Sequence, residues 1–428
     1  MDQDRILKLL ISKISPALGC TEPAALAYAG ALAAQYTSGQ FKRIHVIVDK
    51  NLYKNCLRVT IPGTELKGLE YAVALGIIGG KPKHRLEVLS DLSSKEIREA
   101  ERLVSSGIID LEIKPGSGLY ISVIVNSEMD EACCKIEGNH SRVTLLECNG
   151  NKLSLTELNC DQKADDTDWL TIPDIFKFIH SIPIDALNFL DEARQMNYDL
   201  ALIGINDRNS SNIGPVLNTW HQGDLEFECL ANYARSLTAA GCDARMNGKP
   251  HPVMALDGSG NQGIASLVPI YTITEALELN QEVSLRAFAL SCLVTLYIKS
   301  KLGLLTAVCG CAVAAGAGVS AAVTYTYGGD DKQIEAAIIN LIGGLACIIC
   351  DGAKGSCAFK IAIAVGAAFD SAKLALNNRR ILPGDGIADS SIEGTVDNLV
   401  IITREGMQNL DDTLVQLLGG KIYLNEDF

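Results

Sequence analysis

The 428-residue sequence predicts an α+β fold: a mainly all-helical domain with buried apolar helices, into which an α+β module is inserted. Two observations lead to this prediction. The chain has helix-like patterns at both ends, and from about residue 42 it changes to short, alternating, β-branched segments separated by Gly, Asn and Pro. We therefore expect residues 1–40 and 161–428 to form the helical domain and residues 41–160 to form the insert.

The first 40 residues predict two helices with a cysteine in the turn between them. "RILKLLISKI" is amphipathic, and "PAALAYAGALAAQYT" is rich in alanine, which favours helix. Cys20 stands where the second helix begins, and Thr21, Glu22 and Pro23 suit its first turn. A thiol at a helix N-terminus meets unsatisfied N–H groups and the positive end of the helix dipole, so we expect a lowered pKa for Cys20. The alternative is a small buried cysteine with a structural role.

The sequence of the insert predicts seven short strands and two helices. The helices are expected near Leu66 to Gly79 and from Ser94 to Ser105. The strands are expected in the β-branched segments RIHVIVDK, CLRVTIP, IDLEIKP, LYISVIVNSE, CCKIEG, RVTLLECNG and KLSLTELN. From about residue 167 the pattern is helical again and stays so to the end of the sequence.

One apolar segment in the second helical part has two interpretations. No charged residue occurs in the 28 positions from Leu302 to Gly329, which is long enough to span a bilayer. Its residues are mostly Ala, Gly, Ser, Thr and Cys, without Ile or Phe, so its transfer into lipid is weakly favourable. We therefore expect a buried helix pair in a soluble core, whose small residues let helices approach closely.

Net charge and the N-terminal segment limit the classes of partner that this protein is expected to bind. The formal net charge is −14 and the pI is near 5.0, which argues against the concentrated basic face of a nucleic-acid-binding protein. The N-terminal "MDQDRILKLL" is amphipathic and carries acidic residues, unlike a signal or transit peptide. We expect a cytoplasmic protein without nucleic-acid or membrane partners.

Five of the fourteen cysteines lie close together in the second helical part: Cys309, Cys311, Cys347, Cys350 and Cys357. The spacing of Cys347 and Cys350 places both on one face of a predicted helix, and the glycines that follow let Cys357 return toward Cys350. Convergent thiolates in a dry pocket favour zinc or an iron–sulfur cluster. None of the six histidines lies close in sequence to these cysteines, and three thiolates on a cubane leave one iron open, as a hydro-lyase needs. The alternative is a set of small core residues, as expected for most other cysteines.

The glycine-rich turn "DGSGNQG" is a further candidate for the functional site. It contains the Gly-x-Gly-x-x-Gly pattern of dinucleotide-binding proteins, but it lies in the helical half without a βαβ unit around it. Ser259, Asn261 and Gln262 offer backbone N–H groups and side-chain donors, so we expect a cradle for a substrate carboxylate. A purely structural turn is the alternative.

Four motifs in this order resemble the L-cysteine desulfidase family, a relative of the iron–sulfur L-serine dehydratase alpha chain: SPALGCTEPAALA, DGSGNQGIASLVP, CGCAVAAGAGVSAAVTYTYGG and CDGAKGSC. The resemblance covers most of the chain. It implies a pyridoxal-free β-elimination from a small L-amino acid, in the first place L-cysteine to pyruvate, ammonia and sulfide. It also implies an oxygen-sensitive [4Fe-4S] cluster that is held by three cysteines.

The resemblance assigns the cluster ligands. Cys350 and Cys357 match the last two ligands of the family. For the first ligand the sequence offers both Cys309 and Cys311, and the Cys-x-x-Ala-Ala pattern of the related serine dehydratases selects Cys311. Cys309 is then the alternate ligand, and Cys347 is a bystander or a reserve thiol.

The resemblance also implies that Cys20 is the proton acceptor and that Asn261 matches the asparagine of the Thr-Asn-Gly substrate loop in serine dehydratases. A small amino acid is therefore the expected partner, and a homodimer is left open. L-serine dehydratase is an alternative, because thiol and hydroxyl leaving groups both suit an open iron. A non-enzymatic iron–sulfur or metal-thiolate protein is the alternative from another class, and it would need neither Cys20 nor Asn261.

Overall fold

The computed structural model describes residues 3–114, 118–156, 158, 167, 169–207, 212–221, 223–346 and 348–423. Within them the protein is mixed α+β and mainly helical, as predicted. The first half contains α1 (Gln3–Lys13), β1 (Ile14–Leu18), α2 (Thr21–Ala34), β2 (Phe41–Asp49), α3 (Lys50–Cys56), α4 (Leu69–Gly79), α5 (Ser94–Ser105), β3 (Ile109–Lys114), β4 (Tyr120–Ser127), β5 (Glu131–Glu137), β6 (Val143–Cys148) and β7 (Asn151–Lys152).

The second half is helical apart from one strand. Its elements are α6 (Ile172–Ser181), α7 (Phe189–Asn206), α8 (Ile213–Leu217), α9 (Phe227–Met246), β8 (Pro252–Leu256), α10 (Gly260–Ala276), α11 (Gln281–Leu302), α12 (Val313–Thr326), α13 (Asp331–Leu345), α14 (Cys357–Leu376), α15 (Ile392–Ile401) and α16 (Leu410–Tyr423). Helices α9 to α14 pack on one another and share the largest hydrophobic core.

A six-stranded sheet organises the first half. Its strand order is β3-β2-β4-β5-β6-β7, and all neighbours are antiparallel except β2 and β3, which are parallel. The parallel pair requires a crossover, which α3, α4 and α5 supply between β2 and β3. The two predicted helices of the insert are both present, and α5 has the predicted bounds.

Helix α2 connects the sheet to the helical half. From Ala25 to Ala33 its buried residues belong to the same core as the sheet and α4, whereas Cys20, just before α2, belongs to the helical core. The division at residues 40 and 160 stays a prediction. From this packing we propose that the sheet unit begins at α2, so that the boundary lies near Thr21.

Local structure differs from the sequence prediction in three places. The segment CLRVTIP is not a strand: the Asp49 carboxylate accepts the Asn51 and Leu52 N–H groups (2.8 and 3.1 Å), which starts α3 directly after β2. Among its described residues, the segment KLSLTELN contributes only Lys152 to a strand, the two-residue β7. The turn expected before Cys20 contains β1, which pairs antiparallel with β8 and ties the N-terminal segment to the helical half.

The apolar segment from 302 to 329 is too short in its helical part to span a bilayer. Helix α12 has 14 residues, about 21 Å at 1.5 Å per residue, against a hydrocarbon core of about 30 Å. It is buried from Val313 to Thr324, which confirms the expected core helix. In the described residues, α11 alone is long and apolar enough to cross a membrane, and 83% of its most apolar window is buried inside the protein.

Glycine lets α11 and α12 approach at close range. A Cβ atom added to Gly318 in α12 would lie 2.3 Å from the Ser291 carbonyl oxygen of α11. Gly76 in α4 is in the same situation, since its Cβ would lie 2.1 Å from the Ala27 carbonyl oxygen of α2. Both distances are far below van der Waals contact. Glycine is therefore needed at these two positions, because the helices cross too closely to admit a methyl group.

We predict that Gly318→Ala lowers the free energy of unfolding by at least about 1–3 kcal/mol, because the backbone of α11 must move to admit the methyl group. Gly344→Ala in α13 is the matched control: nothing lies within 4 Å of its added Cβ, and the change is expected to be neutral or stabilising by about 0.5–1 kcal/mol. Urea unfolding measures both. Equal stability of the two variants would contradict the close-crossing account.

Candidate active site

One cavity brings together all the site residues that the sequence predicted. It encloses about 770 Å³, its mouth included, and lies where α2, α10, α12 and α14 begin. The predicted residues in its wall are Cys20, Ser259, Asn261, Gln262, Cys311, Cys350 and Cys357, together with the alternate ligand Cys309. Helix N-termini carry partial positive charge and free N–H groups, so the cavity is suited to anionic groups.

Two chain segments with thiols run side by side at the cavity wall. The Cys309 N–H donates to the Ile348 carbonyl at 2.8 Å, and the Cys350 N–H donates to the Ala307 carbonyl at 2.7 Å. The segments therefore hold Cys309 and Cys350 next to each other through the backbone. Cys347 lies outside the described residues.

The remaining two thiols come from the starts of helices. The Cys311 Sγ lies 3.6 Å from the Ser259 Oγ, in the turn that leads into α12. Cys357 is the first residue of α14, and its Sγ lies 3.5 Å from the Gly352 carbonyl oxygen. In the described part of the chain, no three Cys, His, Asp or Glu side chains are close enough to hold a metal ion.

The secondary structure predicted around these thiols was wrong. Cys309 and Cys311 precede α12 rather than lie within it, and α13 ends at Leu345, before Cys350. The chain cannot continue as a helix past Cys350 because Gly352 has a φ of 98°. The thiols therefore meet through loops and helix starts, not through a shared helix face.

A buried lysine from the sheet unit anchors the Cys350 segment. The Lys54 Nζ donates to the Cys350 carbonyl at 2.8 Å and to the Asp411 carboxylate of α16 at 2.5 Å. The Lys54 side chain is only 1% exposed. On the other side, the Lys360 Nζ donates to the Ile349 carbonyl at 2.9 Å. The segment is thus fixed from both halves of the protein.

Cys20 precedes α2 directly, but its thiol does not cap the helix. Its Sγ donates to the Glu22 Oε2 at 3.0 Å. Burial raises the pKa of Cys20 well above its usual value, the charge of Glu22 raises that pKa further, and the charge of Arg245 opposes both effects. The prediction that the helix N-terminus lowers the pKa of Cys20 is therefore wrong, because burial and the adjacent carboxylate outweigh the dipole.

Glu22 is an ionised carboxylate in buried surroundings. Its oxygens accept hydrogen bonds from Asn55 Nδ2 at 2.9 Å, from Thr21 Oγ1 at 3.1 Å and from Cys20. The His140 Nε2 lies 3.8 Å away. Burial by itself would raise the pKa of Glu22, but the interactions with His140 and Cys20 outweigh burial and lower that pKa well below its usual value. Glu22 is thus a hydrogen-bond acceptor for the Cys20 thiol, and its low pKa leaves the proton on sulfur.

The predicted carboxylate cradle forms the start of α10. The Ser259 Oγ accepts the Gln262 N–H at 3.3 Å and caps the helix. The Gln262 side chain donates to the Leu256 carbonyl, also at 3.3 Å. The Asn261 Oδ1 accepts a hydrogen bond from the Arg245 Nη1 at 2.9 Å. A strand, β8, precedes this turn, but its only partner in the described residues is the antiparallel β1, so the βαβ context of a dinucleotide site is not formed there.

Several polar residues of the cavity were not predicted as site residues: Glu22, Asn55, His140, Arg245 and Lys299. Glu22 lies within the motif that contains Cys20, and an acid two residues after a helix-start thiol was a usable signal. The other four stand in no motif. They meet only in the folded chain, because they come from α3, the β5–β6 turn, α9 and α11.

Comparison with known proteins gives matches over most of the chain. The family model described as serine dehydratase alpha chain matches residues 83–416. A UPF0597 protein of Clostridium tetani is 37% identical over 96% of this chain and 97% of its own length. A UPF0597 protein of Caldanaerobacter subterraneus subsp. tengcongensis is 36% identical with the same coverage. One of Desulfotalea psychrophila is 37% identical over 97% of this chain and 98% of its own length.

We predict that Glu22→Gln makes the Cys20 thiol more acidic, because it removes a negative charge 3.0 Å from the sulfur. Cys20 should then be alkylated faster than in the wild type at any pH below its thiol pKa. Mass spectrometry of the labelled peptide measures the rate. Cys292, fully buried in α11, is the internal control for general loosening. Slower or unchanged labelling of Cys20, with Cys292 still protected, would contradict the prediction.

Proposed function

We propose that this chain, which belongs to the serine dehydratase alpha chain family, is a β-eliminating lyase that acts on a small L-amino acid. L-cysteine is the proposed substrate, and pyruvate, ammonia and sulfide are the products. The observation that supports this proposal is the convergence in one cavity of a thiol–carboxylate pair, a polar helix start and the thiols of two further segments, one with Cys309 and Cys311 and one with Cys350 and Cys357.

The proposed cofactor is a [4Fe-4S] cluster with Cys311, Cys350 and Cys357 as ligands and Cys309 as the alternate first ligand. The donor set fits, because thiolates are the ligands of iron–sulfur clusters. All four cysteines lie in the wall of the same cavity. When bound, the cluster would supply a Lewis-acidic iron that stabilises the leaving group.

The protein's own contribution to the elimination is proton transfer. In the proposed reaction the Cys20 proton passes to Glu22, and the thiolate then accepts the Cα proton of the substrate. The electron pair of the broken Cα–H bond forms the Cα–Cβ double bond while the bond from Cβ to the leaving group breaks. The leaving group keeps the electron pair of that bond and takes the proton from Glu22, which restores the carboxylate. The resulting enamine tautomerises to an imine, which water hydrolyses to pyruvate and ammonia.

L-serine is the second candidate substrate, because the family model carries the name of serine dehydratase and a hydroxyl leaving group needs the same base.

A non-enzymatic iron–sulfur carrier would have no use for an enclosed site. Cys20 and Asn261 are 3% and 6% exposed in the cavity wall, which favours the lyase. A cytoplasmic enzyme without nucleic-acid or membrane partners stays part of the proposal, with a homodimer left open.

We predict that the protein prepared without oxygen carries about four irons and four sulfides per chain. Cys350→Ser and Cys357→Ser should each lose the iron and the brown chromophore. Only one of Cys311→Ser and Cys309→Ser should do so, which identifies the first ligand. Cys229→Ser in α9, outside the cavity wall, is the matched control and should keep its iron. Full iron content in both Cys350→Ser and Cys357→Ser would refute the ligand set.

A further prediction concerns the base. Cys20→Ala should keep the cluster and lose turnover of L-cysteine to pyruvate by about 10²–10⁴-fold. Cys20→Ser should recover little, since a hydroxyl stays protonated near neutral pH. Exchange of the substrate α-proton in heavy water should disappear in both variants. Cys56→Ala, fully buried nearby but outside the cavity wall, is the control. Near-normal turnover and exchange in Cys20→Ala would show that Cys20 is structural.

A further inference from the structure

We propose that Arg245 binds the α-carboxylate of the amino-acid substrate through one edge of its guanidinium group, which Asn261 holds in place. The inference rests on the proposed function for the identity of the ligand. It adds to the cradle predicted from the sequence a charged anchor on a different helix, α9.

The first observation is a buried guanidinium whose hydrogen bonds are incomplete. Arg245 is 3% exposed and lies in the cavity wall. Its Nη1 donates to the Asn261 Oδ1 at 2.9 Å, while its Nε and Nη2 are buried and have no hydrogen-bond partner in the part of the chain that the structure describes. Burial of a charge costs several kcal/mol unless the charge is paired, so the site is prepared for an anion.

The carboxylates near Arg245 are engaged elsewhere. Glu22 accepts the hydrogen bonds of Asn55, Thr21 and Cys20. Asp257, also in the cavity wall, forms an ion pair with Lys13 at 3.3 Å. Asp243, on the same helix as Arg245, accepts from the Asn247 side chain at 2.9 Å through Oδ1, while its buried Oδ2 has no hydrogen-bond partner among the described residues. Among the described residues, no ion pair joins Arg245 to an acidic side chain, which leaves this position open to an anionic ligand.

The geometry of the free groups specifies a carboxylate. The Nε–H and Nη2–H bonds of a guanidinium lie parallel along one edge, and that edge takes both oxygens of a carboxylate at once. Nη1, which lies off this edge, is the nitrogen that Asn261 occupies. The hydrogen bond to Asn261 therefore restrains the plane of the group and leaves its bidentate edge without a hydrogen-bond partner among the described residues.

The position of Arg245 also suits an α-amino acid. A Cβ added to Gly260 would lie 2.4 Å from the Arg245 Nε, so the guanidinium lies against the first residue of α10, where the helix dipole adds positive charge. The charge of Arg245 also acts on the Cys20 thiol. Arg245 and Cys20 lie in the wall of the same cavity, so a substrate whose carboxylate is on Arg245 would occupy the cavity that Cys20 lines.

The test compares L-serine with L-serinamide, which lacks the carboxylate, by isothermal titration of the holoprotein. L-serine should bind the wild type about 10- to 100-fold more tightly than L-serinamide. Arg245→Lys keeps the charge but not the bidentate edge, and Gly260→Ala displaces the guanidinium. Both should lose this preference, with a raised KM for L-cysteine and a smaller change in kcat. Arg235→Lys, on the same helix but outside the cavity wall, is the matched control and should keep it.

Two results would overturn the inference. One is equal affinity of the wild type for L-serine and L-serinamide, a measurement that does not depend on the folding of any variant. The other is wild-type affinity for L-serine in Arg245→Lys. The proposed function is tested separately: Arg245-dependent binding without pyruvate formation would refute the lyase alone, whereas pyruvate formation with an unchanged KM in Arg245→Lys would refute the anchor alone.

Discussion

The site depends on one arrangement: four helices, α2, α10, α12 and α14, begin at the wall of the same buried cavity. Each helix start contributes a partial positive charge to this wall. An amino-acid carboxylate and cysteine thiolates are all anions whose burial is costly. The helix starts offset part of that cost, and Arg245 and Lys299 add two full charges to the same wall.

Close helix packing makes this convergence feasible. Gly318 and Gly76 each lie where a neighbouring backbone leaves no space for a methyl group. Because α2 packs in the core of the sheet unit, its N-terminus draws that unit against the helical half. The sheet unit thereby supplies Asn55 and His140 to the cavity and Lys54 to the segment that contains Cys350. The sheet unit therefore contributes side chains to the site itself.

Charge within the cavity determines whether Cys20 or Glu22 carries the proton that they share. Burial and Glu22 raise the pKa of Cys20, while His140 and Cys20 itself contribute to the low pKa of Glu22. Both effects hold the proton on sulfur. In the proposed reaction Cys20 therefore has to lose this proton before it can act as a base.

Sequence alone determined the mainly helical α+β class, the bounds of α5 and the start of α2 directly after Cys20, because these depend on local pattern and on residues that suit a helix start. Tertiary structure decided what lies beside them. β1 pairs with β8 across more than two hundred residues, Cys350 lies in a loop anchored by Lys54, and the pKa of Cys20 moves in the direction opposite to the one expected. Burial and charge act between residues that are distant in the chain, and Arg245 and His140 enter the site only because folding brings them there.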